Sequence, residues 1–456
     1  MSSARRPSHR APAPATSLAL VVATALALAG HPPAASGTTS ASPTTLQVAT
    51  TTTEPAAPEG PDPTATAVPA VPPLMTPLRS GFTPEGVAAA VVPGPPVQAP
   101  PLTASGAVLL DPADGVILAG VEPRTARPMA STTKIMTVLV ALEAVESGRV
   151  APHLQVSAFA AATGQLPGVA TLGLREGDEV EVRAILAGEL LRSGNDGAVA
   201  LAEHIAGDEP AYVAQMNQRA QALGLEDTGF VDSSGLSNDP AHRATPLDLA
   251  LLGHEAMSHP DFAAWAGAAT LTVQPFGLLE NRNELLRTYP GTTGIKTGYT
   301  NLAGLCVVAS ADRDGRTLYA VVLGSDDRVA DATALLDHGF TDYRRPVPLQ
   351  AGDVPTSYRT AAGTVPLSVA EDLARTVTAG AAVQVLTRLA PDAGLPISVG
   401  TPLGESVLLV DGQEVDRTPL LADEPVGEGA DGAGAALADA LRAFARLQPR
   451  ESAVSL

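Results

Sequence analysis

Residues 128–137 read Pro128-Met129-Ala130-Ser131-Thr132-Thr133-Lys134-Ile135-Met136-Thr137. The run continues with apolar residues at Val138, Leu139 and Leu142 and stops at Gly148, which predicts a helix over 131–147. Ser131 stands at its start and Lys134 one turn further on. Helical residues three apart share a face, so the amine can reach the hydroxyl. A serine hydroxyl is a poor nucleophile until something takes its proton, and a neutral lysine amine can do that. The positive end of the helix dipole and a second nearby cation would both help to keep Lys134 uncharged. Arginine could not substitute, because its guanidinium does not release a proton in proteins.

The lysine count makes this spacing informative. The chain has 28 basic residues, and only Lys134 and Lys296 are lysines. Arginine supplies positive charge everywhere else, so charge alone does not explain those two. One closes Ser131-Thr132-Thr133-Lys134 and the other opens Lys296-Thr297-Gly298. Between them lies Ser193-Gly194-Asn195, in a break between helical segments where a loop can present both side chains. Ser193 could relay a proton to a leaving amine, and the Asn195 amide could hold a substrate carbonyl.

Outward from these motifs, 107–111 and 116–120 read as strands around the turn 112–115. The pattern is helical over 183–264, with breaks at 193–197 and 232–246. Strands return at 304–310 and 318–324, and a helix follows over 331–338. Strands, helices, strands and a helix predict an α/β unit combined with an all-helical part. Beyond Arg345, short apolar runs at 365–369, 382–389, 397–399 and 407–410, with Asp411-Gly412 as a hairpin turn, predict a small β domain over 347–425.

In order and surroundings the three motifs resemble those of the penicillin-recognising serine enzymes, and within them the serine-type D-alanyl-D-alanine carboxypeptidases, or low-molecular-mass penicillin-binding proteins. The likeness extends to Asp196, Leu201-Ala202-Glu203, Met216-Asn217, Leu223-Gly224, Thr228-Gly229-Phe230, Gly294-Ile295, Tyr299-Thr300 and Ala303-Gly304. One departure is Gly197, where an alanine often follows the aspartate. The resemblance implies a transpeptidase fold of the β-lactamase and penicillin-binding-protein kind, with an antiparallel sheet, over 105–345. It also implies a serine carboxypeptidase that acts on peptidoglycan stem peptides and is inhibited covalently by β-lactams, with no cofactor and no metal. Ser131 would be acylated, Lys134 would be the base, and Ser193 and Asn195 would assist. Lys296 would set the local potential, and Thr297, with Gly298 beside it, would bind the substrate carboxylate. The backbone N–H groups of Ser131 and Tyr299 would form the oxyanion hole. Arg328 aligns with an arginine that helps to bind the carboxylate; alternatively it is a surface residue paired with Asp326 or Asp327. A DD-endopeptidase, a β-lactamase and a non-catalytic wall-binding protein are the competing readings. No E-x-x-L-N string, the deacylating element of class A β-lactamases, occurs.

Composition narrows the partners. The 456 residues carry a formal net charge of −20, which argues against nucleic acid. A single cysteine, Cys306, excludes a disulfide framework and reads as a buried strand thiol. No H-E-x-x-H occurs among the histidines. Arg5, Arg6 and Arg10 before the apolar run 18–30, then small residues at 34–36, read as an export signal over 1–36, cleaved or retained as an anchor. This predicts an exported protein of the cell envelope or exterior. The Pro/Thr/Ala tract over 37–104 reads as an extended spacer, bare or glycosylated. Residues 426–456 read as a flexible tail, in which 435–447 is either frayed or a short helix making weak membrane-surface contact.

Overall fold

In the strand Gly106–Asp111, Val108 and Leu110 join one apolar cluster while Ala107 and Leu109 join another. Arg316–Ser325 divides in the same way, with Val321 and Leu323 on one side and Ala320 and Val322 on the other. That period of two is the pleat of a sheet covered on both faces. The order across the sheet is Val116–Val121, Gly106–Asp111, Arg316–Ser325, Gly304–Arg313 and Thr292–Thr300, and every neighbouring pair is antiparallel. Residues 92–391 and 393–427 are described in this computed structural model. The export signal, the spacer up to 91 and the 435–447 segment lie outside the described residues.

The helix Arg328–Thr341 covers one face with Ala332, Leu335 and Leu336. It starts before the expected 331 because the Asp327 carboxylate caps the N–H groups of Val329 and Ala330. The other face carries the helices Lys134–Glu146, Val182–Arg192, Asn195–Ala206, Glu209–Ala222, Pro246–Met257 and Pro260–Ala266. The helix expected over 131–147 is two pieces, a 3-10 turn at Ala130–Thr133 and the α-helix Lys134–Glu146. A two-stranded ladder, His153–Gln155 with Glu179–Glu181, and a short hairpin, Thr270–Val273 with Gly277–Glu280, escaped the sequence reading.

Order also begins before the spacer's expected end at 104. Val92, Val97 and Leu102 pack against the second cluster, and the Thr103 N–H and hydroxyl both donate to Asp331. A proline-rich stretch cannot build a core, but in extended form it can lie along one.

After Tyr343–Arg344 comes a second five-stranded antiparallel sheet. Its order is Thr356–Thr360, Gly363–Val369, Gln413–Ala422, Pro402–Val410 and Val383–Leu389, and its small core includes Val365, Leu367, Leu403 and Leu420. Asp411 and Gly412 both have positive φ, at 50° and 80°, as the expected two-residue hairpin turn requires. The run 397–399 is not a strand; Ile397 makes only an isolated bridge to Val426. The first strand, Thr356-Ser357-Tyr358-Arg359-Thr360, is too polar to have been read from the sequence.

Candidate active site

Ser131 sits in the 3-10 turn, half-buried, while Thr132, Thr133 and Lys134 after it are buried. In a 3-10 turn, side chains three apart eclipse one another, which aligns positions 131 and 134 more closely than an α-helix would. The turn is held from within and from outside. The hydroxyls of Thr132 and Thr133 donate to the Met129 and Ala130 carbonyls at 2.6 and 2.8 Å. His242 Nδ1 accepts the Val231 N–H, so its Nε2 carries the proton and donates to Thr133 at 2.8 Å. Two glycines press on the turn. A Cβ at Gly235, whose φ is +86°, would lie 2.1 Å from the Ala130 oxygen, and one at Gly298 would lie 3.0 Å from the Ser131 nitrogen. Gly298 thus serves by having no side chain.

Lys134 is fully buried, and its Nζ donates to Asn195 Oδ1 at 2.8 Å and to the Ser234 carbonyl at 2.6 Å. A neutral amine has two N–H groups, so these acceptors would use both and leave its lone pair uncommitted; an ammonium would keep one proton to spare. Asn195 is oriented from its other end, where Nδ2 donates to the Ala170 carbonyl at 2.9 Å. The break in the helices is only Ser193-Gly194. Ser193 closes one helix in the left-handed conformation, with φ at 64°, and Asn195 opens the next. From the edge strand comes Lys296, also buried, whose Nζ donates to the Thr297 carbonyl at 2.9 Å.

Burial lowers the pKa of Lys134, against the pull of Glu189, Asp232 and Asp196. Lys296 is pushed well below the lysine range by burial and then by the Lys134 charge. Burial likewise drives the Glu189 carboxyl up to about 8. The two amines and this carboxyl therefore titrate as one coupled set.

A cleft of about 270 Å³ opens in front of these groups, lined among others by Ser131, Ser193, Asn195, Thr297, Gly298, Tyr299 and Arg328. Lys134 and Lys296 lie buried and are not among its lining residues. The structure therefore brings the sequence-predicted side chains to one place. Arg328 is not paired with Asp326 or Asp327. It donates to the Gly298 carbonyl at 3.3 Å and to both Glu284 oxygens at 3.1 and 3.2 Å.

Sequence reasoning missed three contributors. Arg282 lines the cleft with no ion pair among the described residues, and nearby Arg192 and Arg328 add to a positive potential there. The 232–237 loop supplies the Ser234 carbonyl, and the Asp232 carboxylate folds it by accepting from the N–H groups of Ser234, Gly235 and Ser237. The Asp-Ser-Ser-Gly string was a readable signal for such a turn. The third is Glu189. Cys306 is a buried strand thiol, with its pKa raised to about 11. Glu143, Glu255 and His259 cluster as metal ligands would, but the Arg219 guanidinium bridges the two glutamates at 2.7 and 3.0 Å.

A hydroxyl, two buried amines and an oriented amide around one cleft define a serine acyl-transfer site. Residues 95–327 match the family model described as D-alanyl-D-alanine carboxypeptidase. DacF of Bacillus subtilis, a D-alanyl-D-alanine carboxypeptidase, is 30% identical over 337 residues, covering 70% of this chain and 85% of that one. DacD of Escherichia coli, of the same description, is 32% identical over 368 residues, 77% of this chain and 92% of that one. Penicillin-binding protein 5 of Haemophilus influenzae superposes with a TM-score of 0.60 at 30% identity, over 73% of this chain and all of that one. The chain belongs to the D-alanyl-D-alanine carboxypeptidase family of serine peptidases, and its fold is that of the penicillin-binding proteins.

Proposed function

We propose that the chain removes the terminal D-alanine from peptidoglycan stem peptides, outside the cytoplasmic membrane, through an acyl-enzyme on Ser131. The observation that carries this is the state of Lys134: an amine without solvent contact, depressed in pKa, three residues from the serine in a 3-10 turn. In this reading the Lys134 lone pair takes the Ser131 proton as Oγ bonds to the carbonyl carbon between the two D-alanines. Negative charge moves to the carbonyl oxygen, toward the N–H groups of Ser131 and Tyr299. When that charge returns, the C–N bond breaks and the leaving nitrogen receives a proton through Ser193. Water then attacks the ester with Lys134 again as base. Lys296, a second buried amine, opposes a charge on Lys134 and so supports its basic form. Arg282, without an ion pair among the described residues, gives the cleft a cationic end suited to a terminal carboxylate, with Thr297 and the Glu284-paired Arg328 lining the same cleft.

An extracytoplasmic location is supported by the export-like N-terminus and by the position of the substrate. Fluorescent penicillin tests the nucleophile: the full chain should label covalently and Ser131→Ala should not, and labelling that persists in the variant would remove Ser131 from that role. Mass analysis of products from a stem pentapeptide and a cross-linked dimer should show D-alanine released from the first. Cleavage of the dimer alone would make the enzyme an endopeptidase.

A further inference from the structure

Glu189 lies one helical turn before Ser193, in Val182–Arg192, and is completely buried. Neither of its carboxyl oxygens holds a hydrogen bond among the described residues. The other carboxyls near Lys134 are occupied. Asp196 accepts from the Thr171 hydroxyl and the N–H groups of Leu172, Gly173 and Leu174, and Asp232 accepts from three N–H groups of its own loop. Those two have their oxygens engaged by donors, whereas Glu189 has both oxygens free. A buried carboxylate without donors is costly unless cations stand near.

The structure makes room for this group. A Cβ on Gly197 would lie 2.4 Å from Glu189 Oε1, so the residue after Asn195-Asp196 must be a glycine for the carboxyl to occupy this space unshifted. Lys134 faces Glu189 from its helix, Lys296 from the edge strand and Asp196 from the helix Asn195–Ala206. Tyr212 faces it from Glu209–Ala222, with its hydroxyl donated to the Thr137 carbonyl at 2.5 Å. Methyl groups of Leu172 and Ile185 would each lie 2.9 Å from the same Cβ on Gly197.

We propose that Glu189 is a positioning residue of the acyl-transfer site, a buried carboxyl without hydrogen-bond partners among the described residues whose charge, acting through space on Lys134 and Lys296, sets how many protons the two amines carry. No hydrogen bond among the described residues links the carboxyl to either amine, so it acts on them through its charge, and the proton it gains or loses is exchanged with solvent as the pH changes. As an acid, Glu189 leaves the amines free to act as bases. As a carboxylate, it supports the charge that Lys134 gains on taking the Ser131 proton. Asp232, Arg282 and Arg328 also act on the amines, but the first is locked by its loop and the arginines keep their charge. The inference rests on Lys134 being the base.

The test is the pH dependence of the second-order rate constant for acylation by a β-lactam, measured on the full chain. Glu189→Gln keeps the shape and removes the charge, and Glu189→Leu removes the polarity as well. Thermal unfolding of both shows which is folded. Without the carboxylate the amines lose their protons more readily, so both limbs of the profile should move to lower pH by about one unit or more, the effect of one charge at a buried site. Glu189→Asp, which keeps the charge, should hold its limbs closer to wild type. Limbs unmoved in the folded Gln or Leu variant would overturn the proposal, as would a rate loss uniform across pH. Acylation of wild type that disappears in Ser131→Ala and falls in Lys134→Arg secures the base assignment separately, so those results count against Glu189 alone.

Discussion

Lys134 and Asn195, 61 residues apart in the chain, meet at 2.8 Å with the amine donating to the amide oxygen. The contact joins two of the three motifs and fixes which way the amide points. Asn195→Asp replaces that oxygen with a carboxylate and would hold Lys134 as an ammonium. The acid limb of kcat/KM should move to higher pH, opposite to the shift expected for Glu189→Gln. At neutral pH activity should fall by about 10²-fold or more, in the range of losing a general base. An acid limb that stays in place would mean that this contact does not set the state of the amine.

Lys134→Arg separates charge from basicity. The guanidinium keeps the positive charge but cannot accept the Ser131 proton. Acylation measured by stopped-flow should drop roughly 10²–10⁴-fold, and near-normal turnover would leave lysine only an electrostatic role.

Gly235→Ala probes the loop against the nucleophile turn. Its φ of +86° disfavours a side chain, and the new methyl would meet the Ala130 oxygen at 2.1 Å. Denaturant titration should show a loss of about 2 kcal/mol or more from the conformational cost and overpacking. Acylation should suffer in molecules that remain folded, because Ser131 follows Ala130 directly.

Arg219 sits between the buried Glu143 and Glu255. Arg219→Leu strands two carboxylates in the interior and should cost about 3–5 kcal/mol by equilibrium unfolding. Replacing all three residues by leucine should recover much of that loss, since the charges leave together. A single variant as stable as wild type would contradict the pairing.

His242 must be neutral to accept the Val231 N–H, and burial lowers its pKa from 6.5. Above about pH 6.5 it is neutral in both folded and unfolded chains, and its contribution is fully present. As the pH falls below 6.5 the unfolded chain takes up the proton first, and stability is lost toward the lower folded pKa. Thermal midpoints between pH 7.5 and 5 should fall more steeply in wild type than in His242→Gln. Parallel slopes would mean that the imidazole titrates alike in the folded and unfolded chains.

The lysines, the serines and Asn195 were legible because the chemistry needs those side chains at fixed spacing, and an arginine-rich chain makes a lysine conspicuous. The apolar run Ala107 to Leu110 was legible as a strand, but that both of its faces are covered shows only in the two clusters its residues join. The Ser234 carbonyl was invisible because every residue carries one, and only folding selects which carbonyl meets an amine. Glu189 reads as an ordinary polar residue in a helical segment until folding buries it within electrostatic reach of Lys134 and Lys296. Leu271 and Leu279 belong to a hairpin of four-residue strands, too short to declare a period.

Gly235 and Gly298 reach the Ala130–Ser131 peptide from a distant loop and a distant strand. A nascent chain that has made only its first helices therefore has the serine but no vice to grip it. Reactivity toward penicillin is in effect a census of finished molecules: a population trapped short of the last strand would be silent however much helix it contained.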